Sequence, residues 1–536
     1  MSNPTRSIET NSVVSHYNNT TTTLGANEVF TGQGESVLDY KCIILNIVSD
    51  VDSAAGGVSV QFSQDNVNWD QSFADTYIVS SGHFYEIYSV VSRYSRIVYT
   101  NGDTDQSSFR LQTLYHRYAD PSVSSSGGSG SSTTVITPDP ILQGAFGRLR
   151  VANPETLFQV QHTDLKTGYL QDEQLTNGGT TFYQQDQSAI DLEVSTVGDK
   201  VIRQSRRYIT YQPGKSLLIL MTGVLNSDNN DSGTTSKIGY FDDNNGIFFE
   251  YDGTNVNIVL RSKSTGSVVN TIVSQDNWNL DKLDGNGASG LILDPSKTQI
   301  FLIDLQWLGV GRVRTGLVVK GITIYVHQFL HANIQTTTYM SRGSLPARYE
   351  IESTSVNAGG RLKEICSSVV SEGGLQPIGT PFSANRRTTA QTISNGAEAP
   401  LIAIRLKSQY VRAGVKLSGY TSLLNSGNLL VQIRHYLAPT SDIFSGGASW
   451  ISAGSDSFVE YDVSATTVDT SVSNQLAFSS YFSNDSEDIS RIMEKSIYLA
   501  TDISGNHTDI IVLTGVNAGN NGNRDVFGSL EWLEFD

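Results

Sequence analysis

Cysteine, charge and long apolar runs are all scarce in this chain, and each shortage closes off a class of protein. The two cysteines, Cys42 and Cys366, fall in different expected domains and cannot build a disulfide framework. Cys42 lies in the strand-like run Tyr40–Leu45 and is expected as a buried thiol. No apolar run approaches the ~18–20 residues needed to span a bilayer, so no membrane insertion is expected. Met1–Ser7 lacks the apolar stretch of a secretory signal, which predicts synthesis in a cytoplasm. The sequons at Asn230 and Asn506 are then chance matches. Charged residues make up only 17% of the chain, and 36 Lys and Arg against 53 Asp and Glu leave a formal charge of −17. That balance repels a phosphate backbone and argues against nucleic acid as a partner.

What the chain does have is glycine (48), tyrosine (24) and phenylalanine (20), a composition suited to sheets joined by tight turns rather than to helices. At 536 residues there is room for three or four domains, each with its own core. The run Ser124–Ser132 (SSSGGSGSS) cannot bury apolar surface and reads as a flexible tether between separately folded units. The expectation is an all-β chain of three tandem β-sandwich domains of jelly-roll or concanavalin-like type, with very little helix. Its parts are an N-terminal arm (1–24), a small sandwich (25–120), a Gly/Ser-rich linker (121–140), a central sandwich (141–374) and a C-terminal sandwich (375–536).

Residues 1–24 are polar and lack the period of a free-standing core. They read either as a disordered leader or as an arm that orders against a partner, with Val13, Val14 and Tyr17 as anchors. In the small sandwich Val58, Val60 and Phe62 alternate with polar residues, the period of a half-buried strand, and Asp65–Asn68 forms a polar turn before Trp69. Leu217–Met221 and Ile300–Ile303 are short, almost continuous apolar runs that suit buried strands. Gly309, Gly311 and Gly316 suggest bends or bulges. In the last third, Ile489, Ile492, Met493 and Ile497 fall at helical spacing and predict a helix over Asp488–Ile497.

The ordered set Phe146–Phe158, Gly168–Glu173, Val201–Ser216, Ile238–Phe249, Gln275–Asn279 and Phe301–Arg314 resembles the β-sandwich structural proteins of tailed phages and of large double-stranded DNA viruses of microbes and algae. The resemblance covers roughly Ile141–Glu372. Val60–Trp69 and Arg93–Gly102 are similar to a small sandwich module carried by the same kinds of protein. It implies a tail-fibre, spike or capsid-associated component of a virion. Self-association would follow, most simply as a trimer, with other capsid or tail proteins bound through the N-terminal region and a distal face free for a host-surface glycan. Two other readings stand beside it: a carbohydrate-binding adhesin, and a glycan depolymerase.

Signatures of chemistry are few. Gln212-Pro-Gly-Lys-Ser216 has the end of a phosphate loop, but Ile209 replaces the required glycine, and a β-turn is expected instead. His327 and His331 are four apart in a strand-like run with no nearby carboxylate or cysteine to complete a metal site. Asp304, Glu250 and Asp276 are the carboxylates available for glycoside cleavage; Asp304 breaks a buried-looking strand, which could mark a site, but is expected as a solvated or hydrogen-bonded carboxylate at a strand edge. Asp242, Asp243, Asn244 and Asn245 put oxygen-bearing side chains in one loop, as a hairpin turn or a Ca²⁺ loop would. Trp69 and Trp278 could stack on sugar rings, or pack in a core. No catalytic residue, metal ligand or cofactor signature emerges, so the chain is expected not to be an enzyme and to need no cofactor.

Overall fold

The computed structural model describes residues 12–79, 84–116, 153–228, 230–308, 311–356, 358–374, 379–424, 427–483, 489–492, 497–519 and 522–535. The chain forms two compact units, Met1–Thr137 and Pro138–Asp536. Among the described residues the regular secondary structure is antiparallel sheet, with three-residue 3-10 turns such as Gln275–Asn277. The Gly/Ser run lies outside the described residues.

In the first unit a sheet ordered Ser12–Val14, Phe109–His116, Cys42–Ser49, Phe84–Ser89 is accompanied by one ordered Val29–Thr31, Tyr94–Asn101, Ser53–Ser63, Gln71–Asp75. Ile43, Leu45 and Ile47 of one sheet and Val58, Val60 and Phe62 of the other fill the core between them. The alternation read along Val58–Phe62 is therefore the inward face of a strand. Cys42 is buried on its strand, as expected.

The polar leader does not end at Leu24 as expected, because its second half belongs to this sandwich. Ser12–Val14 pairs with Phe109–His116, Val13 opposite Tyr115. Asn18 is fully buried, donating through Nδ2 to Gln33 O at 3.0 Å and Glu35 Oε2 at 2.6 Å while accepting the Ile97 amide at 2.8 Å. Tyr115 also donates to Glu35, at 2.6 Å. Polar side chains hold the segment, which is why a search for apolar periodicity passes over it. Val13, Val14 and Tyr17 stay exposed.

The second unit holds two further pairs of sheets. The central pair faces a sheet ordered Thr180–Gln184, Ala189–Val194, Gly360–Ser371, Leu217–Val224, Gln299–Leu305, Arg312–Val319, Ile322–Leu330 against one ordered Gln171–Thr176, Lys200–Ser205, Ala347–Ser353, Thr234–Phe241, Gly246–Tyr251, Val256–Ser262, Val269–Ser274. Their inward residues, among them Ile219, Ile238, Phe249, Ile303 and Tyr349, make one continuous core. Both continuous apolar runs are strands here, and a bulge sits at Thr315/Gly316. The C-terminal pair is built around Gly414–Leu424 with Arg524–Phe535 and around Glu398–Leu406 with Ile510–Asn517, over a core that includes Leu401, Leu513 and the fully buried Trp532.

The described part of the expected helix at Asp488–Ile497 is not helical, and residues 488 and 493–496 lie outside the described residues. Ile489–Ile492 is a strand on Gly414–Leu424, Ile492 opposite Gly419, and Tyr498–Leu499 pairs further along the same strand. An open sheet edge satisfies the backbone there and overrides a helical spacing only three turns long.

The long strand Gly360–Ser371 carries Leu217–Val224 on one edge and, end to end on the other, Ala189–Val194 and Glu155–Gln161. Buried Glu364 sits at that junction. It lies 3.1 Å from His162 Nε2 and accepts from Gln171 Nε2 at 2.5 Å and Arg203 Nε at 2.6 Å. Burial pushes this carboxyl upward, but Arg203 and the hydrogen bonds of His162 and Gln171 outweigh it and hold it at about 2. Its folded-state value is below the ordinary 4.5, so its stabilisation is complete above that pH and is lost as pH falls towards 2. Glu364→Gln is expected to lower stability at pH 7 by about 3 kcal/mol, because it leaves Arg203 buried with less counter-charge. Urea denaturation between pH 2 and 7 checks this: the variant should also lose part of the wild-type slope between pH 5 and 2.

Candidate functional site

The residues singled out from sequence are placed mainly in structural roles. Asp242–Asn245 is the turn between Thr234–Phe241 and Gly246–Tyr251. Asp242 Oδ1 accepts the amides of Asn244 and Asn245, each at 2.8 Å, and its Oδ2 accepts Tyr208 OH at 3.2 Å. Arg348 donates to Asp243 at 2.6 Å, Lys263 to Asn244 at 3.2 Å, and Asn245 Oδ1 accepts the Ser341 amide at 2.9 Å. Several of the loop's oxygens accept from donors, two of them cationic, which is the opposite of the field a Ca²⁺ ion needs. Trp278 is 2% exposed, packs in the central core and donates Nε1 to Val273 O at 3.2 Å, so it presents no face to a sugar.

Asp304 corrects a second expectation. It is hydrogen-bonded but lies mid-sheet rather than at a strand edge, between Leu217–Val224 and Arg312–Val319, fully buried and ion-paired with Arg314, and it accepts Tyr325 OH at 3.2 Å. Its strand neighbours Ile303 and Leu305 point into the core, as do Phe249 and Tyr251 beside Glu250. Asp304 and Glu250 therefore occupy opposite outer faces of the central sandwich, and Asp276 is an exposed residue of a 3-10 turn. These carboxylates form no pair.

His327 Nδ1 accepts the Asn279 amide at 3.2 Å, while His331 Nδ1 lies 2.7 Å from Gly311 O and its ring stacks on Tyr339. Burial holds both imidazoles below their ordinary value. Among the described residues no cluster of His, Cys, Asp and Glu could hold a metal. Gln212–Lys215 is a β-turn closed by the Lys215 amide on Gln212 O at 3.2 Å, with Pro213 first and Gly214 at φ 83° second, the geometry of a type II turn.

A cavity of about 610 Å³ opens where the central and C-terminal sandwiches meet inside the second unit. Buried Asp509, just ahead of strand Ile510–Asn517, forms its floor. Its Oδ1 accepts Arg206 Nη2 at 2.7 Å and the Ala438 amide at 2.8 Å; its Oδ2 accepts the Ala500 amide at 3.1 Å and lies 3.1 Å from His435 Nε2. Burial pushes Asp509 upward, but His435 and Arg206 outweigh it and hold the carboxyl below its ordinary value. The bond to Ala438 also fixes a non-glycine residue at φ 44°, a left-handed conformation that costs about 1–2 kcal/mol.

Arg206 belongs to the central sandwich and reaches a carboxylate of the C-terminal one. It also lies 3.3 Å from Asp172, whose Oδ2 in turn accepts the Ile503 amide at 2.9 Å. Tyr169 OH lies 3.3 Å from His435 Nδ1. Arg412 covers the ring of Tyr208, and Arg342 donates to Arg412 O at 2.8 Å. Charged and polar groups thus tie two cores that are separately apolar. Arg207 and Lys416 line the same cleft, with Tyr169, Tyr498 and Phe535 among its aromatic walls.

Reading along the sequence passes over this cleft, because its walls come from segments hundreds of residues apart. One signal was present. Arg206-Arg207 is a doubled cation directly ahead of Tyr208 in a strongly acidic chain, and Asp509 abuts the apolar run Ile510–Leu513.

A family model described as the uncharacterised protein YqxG N-terminal domain matches residues 5–116. Among solved structures the chain is similar to the PBSX exported protein XepA, at 12% identity over 67% of this chain and 86% of that one, with a TM-score of 0.17. It is also similar to a protein of unknown function, SO2946, from Shewanella oneidensis MR-1, at 8% identity over 43% and 92%, with a TM-score of 0.28. A third is the VIP36 exoplasmic/lumenal domain in a Ca2+/Man3GlcNAc-bound form, at 11% identity over 40% and 90%, with a TM-score of 0.25. A search of curated proteins finds no match.

Asp509→Ala removes the counter-charge of buried Arg206 and strands two amides, an expected cost of about 3–5 kcal/mol. Calorimetry of the full chain checks where that cost falls. The wild type should unfold in two transitions, one per compact unit, and the variant in three as the C-terminal sandwich uncouples from the central one.

Proposed function

We propose that the chain is a non-enzymatic structural protein of a virus particle, a fibre, spike or capsid-associated component whose sandwiches offer surfaces for contact. The observation that carries this reading is where the buried charge is spent. Asp304, Glu364, Glu350 and Asp509 are each ion-paired between strands or between sandwiches. A carboxylate locked in such a pair supports the fold and has neither the free proton nor the open approach of a general acid or base. The resemblance of Ile141–Glu372 to viral sandwich proteins supplies the particle.

Self-association, most simply as a trimer, belongs to the same proposal. It is supported by the edge strand Val269–Ser274, which has one neighbour among the described residues, carries no charge and leaves Val269 and Ile272 more than half exposed. The exposed side chains of Val13, Val14 and Tyr17 keep the N-terminal region as the proposed attachment surface.

Quantitative mass spectrometry of purified particles, with reducing-end assays of the purified chain on host polysaccharide, tests the reading. The expected result is a fixed, stoichiometric copy number and no release of reducing ends. Absence from particles would remove the structural role, and sustained release of reducing ends would make the chain a hydrolase.

A further inference from the structure

Most buried cations of this chain are neutralised: Arg203 by Glu364, Arg206 by Asp509, Arg348 by Glu350 and Lys237 by the same Glu350. Arg207 and Lys416 differ. Both are only partly exposed, both line the cleft between the sandwiches, and among the described residues neither has an ion-pair partner. In a chain of net charge −17 two uncompensated cations in one cavity are a marked local excess.

They are also placed on one strip. Lys416 is directly opposite Tyr498 in the sheet, which puts their side chains on the same face, and the Arg207 guanidinium lies 4.3 Å over the Tyr498 ring. Cation, aromatic ring and cation therefore follow one another across the seam, Arg207 from the central sandwich and the other two from the C-terminal one. Beside them Gly414 lets the two sandwiches approach closely, since a Cβ there would come within 2.9 Å of Thr210 Oγ1. Gln159, Gln212 and Thr156 add hydrogen-bonding groups to the lining.

We infer that this cleft binds an acidic saccharide, a sugar ring carrying a carboxylate or sulfate, with the anion between Arg207 and Lys416 and the ring's C–H face against the aromatic wall. A cavity of about 610 Å³ is of the size that encloses small ligands. Hydroxyl-rich rings suit the amide and hydroxyl lining. Glu155 at the rim and the overall negative charge disfavour a polyphosphate strand, which needs many cations along its path. Asp509 does not cancel the two cations, because Arg206 already neutralises it. This inference rests on the reading of the chain as a non-catalytic contact protein and names the ligand class of its cleft.

Calorimetric titration of the intact chain with uronate-, sialate- and sulfate-bearing oligosaccharides, their neutral counterparts and a short oligonucleotide tests it. The expected result is binding of at least one acidic saccharide, about tenfold tighter than its neutral counterpart and weakened by salt. Arg207→Gln and Lys416→Gln should each reduce that affinity about tenfold, a change of about 1.4 kcal/mol, with thermal unfolding unchanged. Equal affinity for neutral sugars, wild-type binding by both charge variants, preference for the oligonucleotide, or no binding would each overturn the inference. A chain found in particles that binds no acidic saccharide loses this inference alone; one that binds it and releases reducing ends loses the non-enzymatic reading alone.

Discussion

A single buried carboxylate, Asp509, is the constraint on which the second unit depends. It gathers a guanidinium from the central sandwich, a histidine from its own sheet and two backbone amides from separate loops. Removing a carboxylate from water costs several kcal/mol, and this one is repaid only when all of those partners are in place. The geometry is therefore close to all-or-none. With the hub assembled, Ala438 is held in a left-handed turn, Arg206 bridges to Asp172, and Arg207 is carried to the cleft with it. The cleft is a by-product of the tie, which explains why its floor is neutralised while its rim keeps unpaired cations.

The same economy runs through the central sandwich. Few residues are charged, yet several of them are buried at seams where strands change partners or sheets show an outer face. Glu364 sits where two strands meet end to end along Gly360–Ser371. Glu350 takes Lys237, Lys200 and Arg348 on the outer face of the opposing sheet, and burial, which pushes its carboxyl up, is outweighed so that it stays well below its ordinary value. Apolar packing supplies most of the stability of each core, while these pairs compensate the charges that the strands bury.

Much of the fold was legible along the chain because its signals are local. Alternation at Val58, Val60 and Phe62, the Pro213-Gly214 turn and the apolar strands at Leu217 and Ile300 each follow from neighbours a few residues apart. The misses share the opposite property. Residues 12–20 are held by Glu35 and Tyr115, and Ile489–Ile492 by an edge of Gly414–Leu424. Asp304 is buried because Arg314 lies across from it, and Trp278 because the central core closes over it. None of those partners is visible at short range. The cleft is the extreme case, since Arg207, Lys416 and Tyr498 become neighbours only after two sandwiches have folded and met.

Hydrogen–deuterium exchange at the amides of Ala438 and Ala500 tests the Asp509 hub most directly, because both are loop amides whose protection depends on that carboxylate. The account predicts exchange as slow as in the adjoining core strand Ile510–Asn517, and in register with it as denaturant is added. Exchange at the rate of an exposed loop would mean that the two sandwiches are not tied through Asp509, and the preformed cleft would go with it.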